Sequence, residues 1–113
     1  MKNEVTKILI AGEGGQGIQT IAKILSLALI EADYFVSYIP QFGPEQRGAP
    51  SVAFIQFSKE EIGYPKFEKA DIVMILRRRA VKAAIPFVDS KTLILFDSST
   101  IAKIKKSKHP FDF

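Results

Sequence analysis

The chain has 113 residues, of which 47% are hydrophobic and 25% charged, and carries a formal charge of +4 with no cysteine. This describes one globular domain able to bury roughly two-thirds of its extended-chain surface, and its apolar runs are far shorter than the roughly 20 residues of a membrane-spanning helix. Without cysteine there is no disulfide framework, thiol nucleophile or zinc–thiolate site, and a thiolate-held iron–sulfur cluster must belong to a partner.

The opening MKNEVTK lacks the apolar stretch and small-residue cleavage site of a secretory signal, so a cytoplasmic location is expected. Thr6 to Ala11 reads as a strand ending in the glycines of GEGGQG. From Gly17 the spacing of Ile18, Ile21, Ala22, Leu25, Leu29 and Ala32 predicts a helix ending near Ala32, with Gln19, Lys23 and Ser26 as a polar stripe on its other side. Ile24, Leu27 and Ile30 widen the apolar surface of this helix, either for a broader core or for a second partner. Tyr34 to Ile39 reads as a second strand. The three prolines and two glycines of PQFGPEQRGAP exclude regular structure across Pro40 to Pro50.

Ser51 to Phe57, apolar on both faces, suits a sandwiched strand, and Ile62 to Phe67 a turn or edge segment. Asp71 to Leu76 and Thr92 to Phe96 are expected as strands of a parallel sheet covered on both faces. Between them Arg78 to Val88 can form a helix that Pro86 ends or kinks. The alternation gives an α/β layered domain of about five mostly parallel strands, and the basic tail from about residue 100 is expected to be poorly ordered. The basic clusters at Arg77 to Arg79 and at Lys103, Lys105, Lys106 and Lys108 could attract anionic ligands or nucleic acid, but they have no interleaved aromatics and match no nucleic-acid motif, so solvated surface is the favoured reading and neither a nucleic-acid nor a membrane partner is expected.

Gly12, Gly14 and Gly17 satisfy GxGxxG after a strand and at the opening of a helix, a context in which backbone amides can face a phosphate. The same glycines also suit a purely structural turn. A dinucleotide site needs an acid near the end of the second strand, but Ser37, Tyr38, Ile39 and Pro40 stand there and Asp33 lies at the wrong end. A Walker loop is excluded because Ile18 follows Gly17. The first and second strands are expected to run parallel, which brings the glycine loop and the 40 to 50 loop to one edge of the sheet. His109, the sole histidine, supports neither a nucleophile triad nor a metal site.

GEGGQGIQTIAKIL, FGPEQRGAPSVAFIQF, IGYPKFEKADIVMIL and LILFDSS, in this order, resemble the gamma subunit of 2-oxoacid:ferredoxin oxidoreductases, the pyruvate and ketoisovalerate class. The resemblance runs from about Lys7 to Ser99 and implies a Rossmann-like three-layer α/β/α sandwich. It also implies a single gamma-type domain spanning 1–113, shortened at the carboxyl end relative to the family. Arg47-Gly48 is followed here by Ala49-Pro50, where the family commonly has RGG. The implied complex oxidatively decarboxylates a 2-oxoacid to an acyl-CoA and passes electrons to ferredoxin. Thiamine diphosphate, coenzyme A, magnesium and iron–sulfur clusters are expected in that complex, held with alpha, beta and ferredoxin-like delta subunits.

The present chain is then a structural or ligand-positioning component with no catalytic or metal-binding residue and no cofactor assigned to it alone. Its candidate binding residues are Gly12, Gly14, Gly15, Gln16, Gly17 and Thr20 at the glycine loop, and Gly43, Glu45, Arg47 and Gly48 in the second loop. Arg47 can grip a carboxylate or phosphate through its planar fork, or form a loop salt bridge with Glu45. Thr20 can contact a ligand or bond back to the helix. Asp97-Ser98-Ser99 follow the last strand at the edge where such sheets place ligands, and also suit helix capping. The alternative function is a free-standing module binding coenzyme A or another phosphate-bearing nucleotide. In isolation, a homodimer is expected to cover the extra apolar residues of the helix.

Overall fold

The computed structural model of the protein describes residues 5–13, 17–41, 50–64 and 66–96. In chain order these form β1 (Thr6–Glu13), α1 (Ile18–Glu31), β2 (Phe35–Gln41), β3 (Pro50–Ser58) and β4 (Ile72–Ile75). A helical passage follows, in which α2 (Val81–Ala84) is flanked by the 3₁₀ turns Arg78–Ala80 and Ile85–Phe87, and then comes β5 (Leu93–Phe96). The five strands make one sheet in the order β2-β3-β1-β4-β5. β1, β4 and β5 are mutually parallel, and β3 is antiparallel to both of its neighbours. Four strands therefore share one direction and β3 alone is reversed.

Side-chain alternation divides the core into two layers. Ile8 and Ile10 of β1 pack with Ala53 and Ile55 of β3 against Ile18 and Ala22 of α1. Leu9, Ala11, Val52, Phe54, Val73 and Ile75 face the other way, onto Phe67, Ala80, Val81 and Ala84. Edge-to-face contacts at 5.2 and 5.3 Å between Phe54 and the rings of Phe67 and Phe87 fill that second layer. The result is the expected α/β/α sandwich, with α1 on one face of the sheet and the 78–87 passage on the other.

Three expectations need correction. Pro40 and Gln41 continue β2, opposite Ala53 and Val52, and Pro50 opens β3 opposite Glu13. Proline is tolerated at Pro40 because β2 is an edge strand and at Pro50 because it is a first residue, positions where the missing N–H costs no ladder bond. β5 is covered on one face only: Leu93 and Leu95 are exposed, since α1 lies over β1, β2 and β3. On α1, Gln19 is half-buried and Ser26 buried, so the polar stripe does not lie opposite the core. The helix rolls to bring the small Ala22 and Ser26 against the sheet, and leaves Ile21 at the margin. As expected, Pro86 ends the second helix: within the helical passage only Val81–Ala84 is α-helix, because Pro86 cannot donate the bond that would extend it.

Candidate functional site

β1 and β2 point the same way although β3 separates them, so their carboxyl ends flank the start of β3 at one edge of the sheet. The pairings Glu13 with Pro50 and Gln41 with Val52 place them there. Gly12 lies inside β1, buried and paired with Ser51, and so belongs to the strand rather than to the turn. Gly17 is the N-cap of α1 at φ 80°, with open space where a Cβ would stand; glycine is needed there for its backbone angle. Ile18 plugs into the core immediately afterwards, and the first intrahelical bond runs from the Ile21 amide to the Gly17 carbonyl at 2.8 Å. The amides of Ile18, Gln19 and Thr20 thus begin the helix without helical acceptors, as at any N-terminus. Thr20 is exposed one turn into it. At the same edge Glu13 meets Arg79 at 3.5 Å, joining the end of β1 to the turn after β4.

A polar clamp fixes the first turn of α1 over these strand ends. The Gln19 amide nitrogen donates to Ser51 Oγ and to the Val52 carbonyl, each at 3.0 Å, and its Oε1 accepts a short hydrogen bond from the Tyr38 hydroxyl. One side chain therefore ties the helix to β2 and to β3 beside both loop exits. Burial pushes the Tyr38 hydroxyl above its ordinary pKa, which keeps it protonated and donating. A different concavity, a cleft of about 810 Å³ lined by Lys7, Gln56, Tyr64, Lys66 and Lys69 among others, involves side chains already engaged. Lys66 bonds to Gln41, Lys69 to the Pro86 carbonyl, and Gln56 to the Tyr64 carbonyl. That leaves the carboxyl edge as the better candidate.

A family profile described as pyruvate ferredoxin/flavodoxin oxidoreductase matches residues 7–112. The chain belongs to that family. It is 34% identical over 111 residues to the 2-oxoglutarate synthase subunit KorC of Archaeoglobus fulgidus, a match covering 98% of this chain and 59% of the relative. In fold it resembles the keto/oxoacid ferredoxin oxidoreductase gamma subunit of Geobacter sulfurreducens, with a TM-score of 0.74 at 22% identity over 88% of this chain and 54% of the other. It also resembles the 2-oxoglutarate:ferredoxin oxidoreductase of Magnetococcus marinus, solved with 2-oxoglutarate, coenzyme A and succinyl-CoA bound. There the TM-score is 0.76 at 22% identity, over 83% of this chain and 16% of the other. The chain thus spans less than two-thirds of each of these proteins.

Within this oxidoreductase family chain, the structure brings Gly12, Gly17 and Thr20 to the carboxyl edge. Gly14, Gly15, Gln16, Gly43, Glu45, Arg47 and Gly48 lie outside the described residues, as do Asp97 to Ser99 and the basic tail. Among the described residues no group of three or more His, Asp or Glu side chains gathers to hold a metal ion, and no helix is long and apolar enough to cross a membrane. Sequence reasoning missed Gln19, Tyr38 and Ser51. The available signal was a glutamine at the second helical position beside small residues at Ala22 and Ser26, which mark the face that approaches a sheet. It also missed that Arg77 to Arg79, read as solvated surface, follow β4 at this same edge.

Proposed function

We propose that the chain is the gamma component of a 2-oxoacid:ferredoxin oxidoreductase complex, which oxidises a 2-oxoacid to an acyl-CoA and passes electrons to ferredoxin. The observation that carries this reading is the match to KorC along 98% of the chain. Carbanion chemistry on the 2-oxoacid calls for thiamine diphosphate, and electron removal calls for iron–sulfur clusters. The absence of cysteine leaves the clusters to other subunits. This chain supplies a rigid edge that positions a ligand and surfaces that bind its partners: alpha, beta and ferredoxin-like delta subunits in the cytoplasm.

Glycine at Gly17, the start of α1 and the exits of the two loops form a cradle that a phosphate-bearing group such as that of coenzyme A would fit. Gln19 holds this cradle to the sheet. The alternative of a free-standing nucleotide-binding module draws on the same cradle but not on the family match. Affinity purification of the tagged chain from its native host tests the proposal. Thiamine-diphosphate and iron–sulfur subunits should copurify; a protein recovered consistently alone overturns it.

A further inference from the structure

The two faces of the sheet are covered unequally. α1 lies over β1, β2 and β3, and among the described residues no helix lies over β4 and β5 on that side. The parallel register sets Leu93 beside Ile72 and Leu95 beside Met74. Ile72, Met74 and Leu76 turn toward the α1 layer and stay half-buried, while Leu93 and Leu95 are 54% and 44% exposed. These strands are the floor of a trough that carries no charged side chain. Gln19 reaches β2 and β3 from one flank of α1, so the opposite flank, with Ile21, Leu25 and Ala28, forms the trough's wall.

The width of the trough is that of one helix. Neighbouring strands lie about 4.8 Å apart, so two uncovered strands make a strip roughly 10 Å across, the diameter of an α-helix. The same molecule carries a helix with an apolar outer side, since Ile24 and Leu27 project from α1 away from its own sheet into solvent. Lys23 and Glu31, one turn to either side of Leu27, are exposed, and their stems are long enough to carry the charges past the rim. An unrelated helix laid in the trough would cover Leu93 and Leu95 but leave Ile24 and Leu27 bare. A second copy of the chain covers both sets at once. When α1 of one copy lies in the trough of the other, a two-fold axis parallel to the helices places the first copy's trough around the second copy's α1. The contact is isologous and closes at two subunits. Both helices then share one layer between two sheets and adjoin through Ile21 and the small Ala28. Each copy contributes a helix face and a trough together, on the order of the 800 Å² per partner that a specific dimer buries.

We propose that the chain forms a homodimer by reciprocal insertion of α1 into the β4–β5 trough, with Ile24 and Leu27 of each copy seated on Leu93 and Leu95 of the other. The inference rests neither on the ligand edge nor on the family match. Because the axis runs along the helices, the two carboxyl edges emerge at the same end of the dimer.

Sedimentation equilibrium of the full chain tests it with two variants, Leu27→Lys on the helix and Leu93→Glu on the floor, each checked for folding by circular dichroism. The wild type should dimerise, and either variant alone should weaken the dimer at least about tenfold, because a charge is then buried against an apolar surface at both contacts. An equimolar mixture of the two variants should recover dimer to within about threefold of wild-type affinity, since one contact of the mixed dimer sets lysine against glutamate and the other is wholly wild type. If either variant fails to fold, Ile24→Lys and Leu95→Glu replace the pair. A monomeric wild type overturns the proposal, whether its trough is bare or filled by another part of the chain. So does Leu93→Glu dimerising as well as wild type, the result expected if the two helices packed face to face outside the trough. A mixture that stays monomeric overturns it too. Copurification of partner subunits is a separate measurement, so each of these failures leaves the reading of the chain as a gamma component standing.

Discussion

Ser26 shows how little of side-chain environment a helical wheel conveys. It is buried between α1 and the sheet, and its Oγ has no hydrogen-bond partner. An unsatisfied buried hydroxyl costs about 1 to 3 kcal/mol, and alanine fits any site that serine fills. Ser26→Ala is therefore expected to stabilise the chain by about 1 kcal/mol, read as a higher urea midpoint with an unchanged slope; a lower midpoint would mean that the hydroxyl is satisfied. Gln19 is the opposite case. Gln19→Ala strands the Tyr38 hydroxyl and the Ser51 hydroxyl together, and a loss of about 1 to 3 kcal/mol is expected in the same assay. Neither environment was legible in the sequence, because a serine and a glutamine at these spacings fit a solvated stripe as well as a sheet contact. Gly17 was legible, since a glycine between a strand and a helix commonly supplies a positive φ, and it stands at 80°.

At the scale of elements, ends and turns decide what the hydrophobic pattern leaves open. α1 closes in a Schellman motif: the Tyr34 amide bonds to the Leu29 carbonyl at 3.1 Å and the Asp33 amide to the Ile30 carbonyl at 2.9 Å. Asp33 thereby sits at φ 71°, where most helices have glycine. Asp33→Gly should raise the melting temperature by relieving roughly 1 kcal/mol of strain. The turn before β5 is held differently. Asp89 accepts the Lys91 amide at 2.9 Å and lies 3.0 Å from the Thr92 hydroxyl, and these bonds hold its carboxyl below the usual aspartate range. A depressed carboxylate pKa contributes stability that is present above the unfolded value and lost as pH falls through the folded one. Acid unfolding followed by circular dichroism should therefore be shallower in Asp89→Asn than in the wild type below about pH 4. The extent of β2 escaped sequence reading for a related reason, since proline bars a central strand but not an edge, and edge or centre is decided by tertiary pairing.

The number of the strands and their places along the chain were legible because apolar runs of strand length alternate with one helical period, but their order in the sheet and the reversal of β3 were not. A loop between two strands has no direction written into it until both strands find neighbours. What the whole molecule adds is the apolar surface of α1. Ile24, Leu27 and Ile30, suspected from sequence of serving a second partner, are 63%, 62% and 53% exposed. With Ile21 they form a stripe winding around the side of the helix away from the sheet, while Leu93 and Leu95 are exposed on the uncovered part of β5. Apolar side chains exposed in a row, in a domain that already has two filled core layers, are suited to burial against another chain. Changing Ile24 and Leu27 to lysine places charge where there is already water, so the stability of the free chain should move by no more than about 0.5 kcal/mol for each. Association should respond strongly, because charges set against an apolar partner surface are desolvated on binding. Sedimentation of the wild type is expected to show a concentration-dependent oligomer that the double variant lacks, and copurification with partner subunits should fall at least tenfold if α1 faces them. A wild type that remains monomeric at high concentration, with a double variant that still recovers its partners in full, would place the contact surface elsewhere on the molecule.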